Sequence, residues 1–227
     1  MTINGLLKLT LLDFPGKCAC TVFFAGCNFR CPFCHNATLV RGEGEDITEE
    51  EFFRFLSKRE GVLDGVAIKG GEPLLQRDIL PFIKRIKDMG FAVKLDTNGA
   101  FPGKLKELAS SGLIDYVAMD IKSSPEGYER AAGCPVNMEN VKESVDFLLS
   151  DTVDYEFRTT VAKGAVLPSD IEGIGNFIKG AKRYFLQAFV DSGDILGENV
   201  GPYTEKEMKQ MLEDVKKYVP TAQLRGI

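Results

Sequence analysis

From Lys17 onward, short apolar runs alternate with longer stretches in which apolar residues recur at helical spacing. The runs Cys18 to Ala25, Gly65 to Lys69, Ala92 to Asp96, Tyr116 to Asp120, Tyr155 to Val161 and Arg183 to Phe189 read as strands. Between them, Ile79, Phe82, Ile83 and Ile86 stand at offsets 0, 3, 4 and 7, and Met208, Met211, Leu212 and Val215 repeat those offsets. Each stripe predicts a helix laid on a sheet. Thr48-x-x-Glu51, Ser169-x-x-Glu172 and Thr204-x-x-Glu207 each read as a capping box, in which hydroxyl and carboxylate satisfy free N–H groups at a helix start. Upstream, Leu6 to Leu12 predicts a short strand, and Pro15-Gly16 the turn into the first core strand.

Such alternation means parallel βα units. Six units are too few for a closed eight-stranded barrel, which takes about 250 residues. A chain of 227 residues fits an α/β fold of the open, partial (β/α)6 TIM-type barrel, although periodicity alone does not separate that from a doubly wound sheet. No repeat, low-complexity run or linker divides the chain, so one domain over 1–227 is expected, with 1–16 as a short N-terminal extension.

Composition narrows the function. With 44% hydrophobic and 27% charged residues the chain can bury a substantial core. A net charge of −5 without a Lys/Arg cluster speaks against nucleic acid or an anionic membrane as partner. No charged segment followed by an apolar one begins at Met1 and no apolar stretch would span a bilayer, so a cytoplasmic protein is expected. In that reducing compartment, six cysteines read as metal ligands or core thiols. The single histidine, His35, removes multi-His metal sites and makes a Ser-His-Asp triad improbable.

Three of the cysteines carry the chemistry. Cys27, Cys31 and Cys34 follow a C-x-x-x-C-x-x-C spacing that suits one inorganic group. A cubane iron–sulfur cluster that only carries electrons takes four cysteinates, so three would leave one iron open to a small molecule. The competing reading is a Cys3His zinc knot that includes His35, but Cys34 and His35 are adjacent and point apart, and no second C-x-x-C pair exists. Cys18, Cys20 and Cys134 read as core thiols.

In a parallel sheet, chemistry gathers at the carboxyl ends of the strands. Those ends carry Gly70-Gly71-Glu72-Pro73, Asp96-Thr97-Asn98-Gly99 and Asp120-Ile121-Lys122. The two glycines would let the backbone approach a ligand, Glu72 adds an acceptor and Pro73 fixes the turn. Plain turns and a surface lysine are the alternatives. Arg158, inside an apolar strand, needs an anion: a ligand carboxylate, or else Asp154 or Glu156.

The cysteine spacing, with Phe33 just before the last Cys, resembles that of radical S-adenosylmethionine (SAM) enzymes. Leu12 to Gly16, Cys27 to Asn36 with its Cys34-His35-Asn36 ending, Leu95 to Gly99 and Asp120 to Lys122 narrow the resemblance to activases of glycyl-radical enzymes. Among these it is most similar to the activases of anaerobic ribonucleoside-triphosphate reductase and pyruvate formate-lyase. The resemblance implies a partial barrel with one [4Fe-4S] cluster on Cys27, Cys31 and Cys34. It also implies SAM contacts at Phe33 for the adenine, at Gly70, Gly71 and Glu72 for the methionyl amino group, and at Arg158 for the carboxylate. Asp96, Asn98, Asp120 and Lys122 would face the ribose and methionine moieties, a monovalent cation would sit beside the carboxylate, and Gln187 would lie near the adenine. Val190 stands where some relatives have a histidine.

The implied reaction starts with one electron from a flavodoxin or ferredoxin-type donor. SAM is cleaved to methionine and a 5′-deoxyadenosyl radical, which takes hydrogen from a glycine of a partner glycyl-radical enzyme under anaerobic conditions. No residue acts as acid or base. Two alternatives stay open: a small radical SAM enzyme acting on a metabolite, as 7-carboxy-7-deazaguanine synthase does, and a non-catalytic zinc-binding module. The first would need polar groups in the barrel mouth to grip a heterocycle.

Overall fold

Each predicted core run forms a strand in the computed structural model, which describes residues 2–191 and 193–227. In chain order the strands are β1 (Thr2–Ile3), β2 (Gly5–Thr10), β3 (Ala19–Phe24), β4 (Ile47–Thr48), β5 (Gly65–Gly70), β6 (Ala92–Thr97), β7 (Tyr116–Asp120), β8 (Asp154–Lys163), β9 (Tyr184–Ala188), β10 (Gly201–Pro202) and β11 (Gln223–Arg225). The helices are α1 (Ala37–Val40), α2 (Glu49–Ser57), α3 (Ile79–Asp88), α4 (Pro102–Ser110), α5 (Tyr128–Ala132), α6 (Met138–Leu149), α7 (Ile171–Phe177) and α8 (Glu205–Lys216).

Strands β3, β5, β6, β7, β8 and β9 lie side by side in the order of the chain, all parallel. A doubly wound sheet reverses its order at a switch point. This sheet does not, and the partial barrel is the architecture that results. Two edge strands join the predicted six: β2 runs antiparallel to β3, and β11 adds a seventh parallel strand beside β9. At three residues, β11 is too short to stand out in a periodicity reading.

The α3 stripe buries as predicted, and of the α8 stripe Met208, Met211 and Val215 are buried while Leu212 is half-buried. Ile79, Phe82, Ile83 and Ile86 of α3 are buried, contributing about 1.5–3 kcal/mol each before conformational entropy is counted. Phe82 meets Phe24 of β3 and Phe52 and Phe53 of α2, with ring centroids 5.3–5.5 Å away. This cluster anchors the strand that leads into the cysteine segment. Beneath the sheet, Phe14 packs against Ala19, Tyr116 and Ala92. Gly65 opens β5 because a Cβ there would stand 2.9 Å from the Phe14 ring. The turn at Pro15-Gly16 closes with Lys17 N–H donating to the Phe14 carbonyl at 3.1 Å.

Two of the three capping boxes form, Thr48 with Glu51 and Thr204 with Glu207. The third does not. Pro168 opens a 3-10 turn, the Asp170 carboxylate accepts from the Leu167 N–H at 2.7 Å, and α7 starts at Ile171, so Ser169 is left exposed. Of the expected core thiols, Cys20 is buried while Cys18 and Cys134 are half-buried.

Candidate functional site

The cysteine segment leaves the carboxyl end of β3. Gly26, at φ +87°, turns the chain, and its N–H donates to the Leu39 carbonyl at 2.9 Å. Phe29, Cys31 and Phe33 then fold inward and are buried. The Cys27 sulfur accepts from the Phe29 N–H at 3.4 Å and faces the Asn98 amide at 3.9 Å. From the other side the end of α5 holds the segment: Arg30 N–H donates to the Ala132 carbonyl at 2.7 Å, and the Cys134 thiol reaches the Asn28 carbonyl at 3.5 Å.

Gly70 and Gly71 serve this segment. A Cβ on Gly70 would overlap the backbone of Phe24, and one on Gly71 would overlap the carbonyl of Gly26. The two glycines thus admit the chain's own cysteine loop, while also lining the cavity at the carboxyl ends of the strands. Gly71 N–H donates to Phe24 O and Glu72 N–H to Gly26 O, both at 2.9 Å. Glu72, expected at the ligand with them, does not line the cavity. It is fully buried, and its carboxylate accepts from Leu74 N–H at 3.0 Å, Thr97 Oγ1 at 2.9 Å and Asn98 N–H at 2.7 Å.

Arg158 finds its anion inside the protein. Its Nε and Nη2 contact Asp120 Oδ1 at 3.0 and 2.9 Å, and its Nη1 contacts Asp96 Oδ2 at 3.0 Å, in place of Asp154; Glu156 stands farther off at 3.9 Å. Lys94 also pairs with Asp96, Lys69 bridges Asp13 and Asp96, and Lys122 reaches Asp120 at 3.1 Å. Burial opposes the Asp96 charge, yet Arg158, Lys94 and Lys69 hold its carboxyl well below the usual range. Asp96 and Asp120, expected beside a monovalent cation, thus already have fixed cations of the chain as partners.

A cavity of about 310 Å³ opens above this layer, within the size range of small-ligand sites. Cys27, Cys31, Cys34, Phe33, Gly70, Gly71, Asp96, Asn98, Asp120, Lys122, Arg158 and Gln187 all line it. Glu72 alone among the predicted residues does not. Sequence reasoning missed Lys69, Thr160, His35 and Asn36 on the wall, and Lys94 and Asp13 beneath it. Lys94 carried the signal that marked Arg158, a charge in an apolar strand.

The donor set fits an iron–sulfur cluster. Burial pushes the Cys31 thiol up to about 12 and the Cys27 thiol above its usual value, while Lys122 pulls both down. Among the described residues no three His, Cys, Asp or Glu side chains converge on a single-ion site. All three thiols line the same cavity, beside Lys122 and Asn98. Lys122 keeps its charge despite burial because Asp120 and the Cys31 sulfur flank it. Burial and Lys122 hold His35 below its ordinary value.

Residues 21–164 match the family described as the Radical SAM superfamily. A Methanocaldococcus jannaschii protein provisionally named a glycyl-radical enzyme activating enzyme is 32% identical over 232 residues, spanning 99% of this chain and 96% of that protein. Pyruvate formate-lyase-activating enzyme of Clostridium pasteurianum is 34% identical over 58% of this chain and 57% of its own length. A 7-carboxy-7-deazaguanine synthase of Koribacter versatilis is 33% identical over 60% of this chain and 58% of its own length. In fold, the crystal structure of QueE from Escherichia coli covers 100% of this chain and 94% of its own, with a TM-score of 0.57 at 14% identity.

Proposed function

The chain belongs to the Radical SAM superfamily and is a radical SAM enzyme, and from that premise we propose that it activates a glycyl-radical enzyme. The observation that carries this reading is the end-to-end match to a relative provisionally named for that activity; the pyruvate formate-lyase-activating enzyme and the 7-carboxy-7-deazaguanine synthase each align over little more than half of this chain and do not separate the two readings. Cys27, Cys31 and Cys34 would hold a [4Fe-4S] cluster. Bound there with SAM, the cluster supplies one-electron cleavage of a carbon–sulfur bond and the carbon radical that takes hydrogen from a target.

The residues of the wall divide the remaining work. Phe33, buried beside the cysteines, would pack on the adenine, and Gln187 at the end of β9 would border it. Arg158, held by Asp96 and Asp120, and Lys122 are the two cations of the wall placed for the SAM carboxylate. Lys122 lines the cavity next to Cys31, and its ammonium donates to Asp120 with capacity for two further bonds.

Anaerobic ribonucleoside-triphosphate reductase is the first partner to test, with a flavodoxin or ferredoxin-type donor. Reduced enzyme, SAM and that reductase are expected to give a glycyl-radical doublet in electron paramagnetic resonance, with about one 5′-deoxyadenosine per glycine activated. SAM cleavage with no glycyl signal from any glycyl-radical enzyme of the same organism would favour a metabolite substrate instead.

A further inference from the structure

Asn98 stands at the carboxyl end of β6 with every polar group of its side chain spoken for. Its Oδ1 accepts from the Ala100 N–H at 3.0 Å, which fixes the orientation of the amide and turns Nδ2 toward the cysteine segment. Nδ2 donates to Asn28 Oδ1 at 2.9 Å and faces the Cys27 sulfur at 3.9 Å. Its backbone is held in turn, since the Asn98 N–H donates to the buried Glu72 carboxylate at 2.7 Å. Glu72, Asn98 and Cys27 form a rigid line from the β5 loop to one sulfur. Of the three cavity thiols, Cys27 is the one with N–H donors on its sulfur among the described residues.

We propose that Asn98 is a positioning residue for Cys27, and that its amide raises the reduction potential of the iron group this cysteine ligates. An N–H aimed at a ligand sulfur draws electron density off the thiolate and stabilises the reduced, more negative state. The amide also clamps Asn28, so the Cys27 sulfur is presented before any metal arrives. This assignment rests on the cluster of the proposed function and is independent of the partner's identity.

The test is a mediated redox titration of the anaerobically reconstituted full chain, followed by the paramagnetic signal of the reduced cluster. Asn98→Ala is expected to lower the midpoint so that the reduced-to-oxidised ratio at a fixed donor potential falls about tenfold, which is about 59 mV for one electron. Asn98→Asp keeps the acceptor for Ala100, loses the donor and adds a charge, so it is expected to shift farther in the same direction. Asn28→Ala leaves Cys27 as the sole acceptor for the amide and is expected to shift the midpoint upward. Wild-type iron content with unmoved midpoints in both Asn98 variants would overturn the inference. If Asn98→Ala loses iron, the other two variants decide, and a shift of the same sign in both overturns it. A wild-type chain that takes up no iron would fail the cluster assignment itself, and this inference with it.

Discussion

Gly71 and Glu72 are neighbours with separate tasks, the first set by its backbone and the second by its carboxyl. Gly71→Ala would drive a methyl into the Gly26 carbonyl. Relief requires the cysteine segment to move, so a loss of about 1–3 kcal/mol is expected. Iron content after reconstitution should fall with it; full iron and unchanged thermal stability would show that the loop yields freely. Glu72 offers a pH signature. Burial pushes its carboxyl up to about 7 from 4.5, against the hydrogen bonds that favour ionisation. The folded chain therefore binds this proton more tightly than the unfolded chain. The contribution is fully present below 4.5 and is lost as pH climbs through 7, at most on the order of 3 kcal/mol. Glu72→Gln is expected to be less stable at low pH and to lack that decline, as urea midpoints at about pH 5 and about pH 8 would reveal.

Helix starts test what a local pattern can and cannot tell. Thr48→Ala and Thr204→Ala should each cost about 1 kcal/mol in chemical denaturation, because both hydroxyls cap. Ser169→Ala should stay within about 0.5 kcal/mol, because its hydroxyl caps nothing. All three motifs look alike in sequence; what separates them is Asp170, recruited by Arg130 from a distant helix. The core strands were legible because strands buried on both faces read as short apolar runs, and the α3 and α8 stripes because burial of one helix face imprints a period of 3.6. The cysteine motif was legible because ligand spacing is local. Sheet order was not, since pairing joins residues far apart in sequence. Nor could a chain of letters say that Gly70 and Gly71 face Phe24 and Gly26, that Glu72 turns inward, or that Arg158 is already claimed by two aspartates from neighbouring strands.

At the scale of the molecule, those aspartates belong to a charged layer inside the barrel. Asp13, Asp96 and Asp120 interleave with Lys69, Lys94, Lys122 and Arg158, contributed by five separate segments before and within the sheet. Removing one member leaves buried charge uncompensated. Asp96→Asn is expected to cost about 3–5 kcal/mol, and Asp96→Asn combined with Lys94→Met should recover part of it in the same thermal melt. No recovery would mean that Arg158, not Lys94, is the partner that matters. Below this layer sits Phe14, wedged among Ala19, Tyr116 and Ala92. Ala19, Ala92 and Tyr116 are the first residues of β3, β6 and β7, so this packing fills the amino end of the sheet, opposite the cavity at the carboxyl ends. In a cavity entered from one side the order of departure reverses the order of arrival: whatever settles against the charged floor must enter before the target segment and wait behind it. Under the proposed function each turnover would thus be a queue, with the protein partner last in and first out.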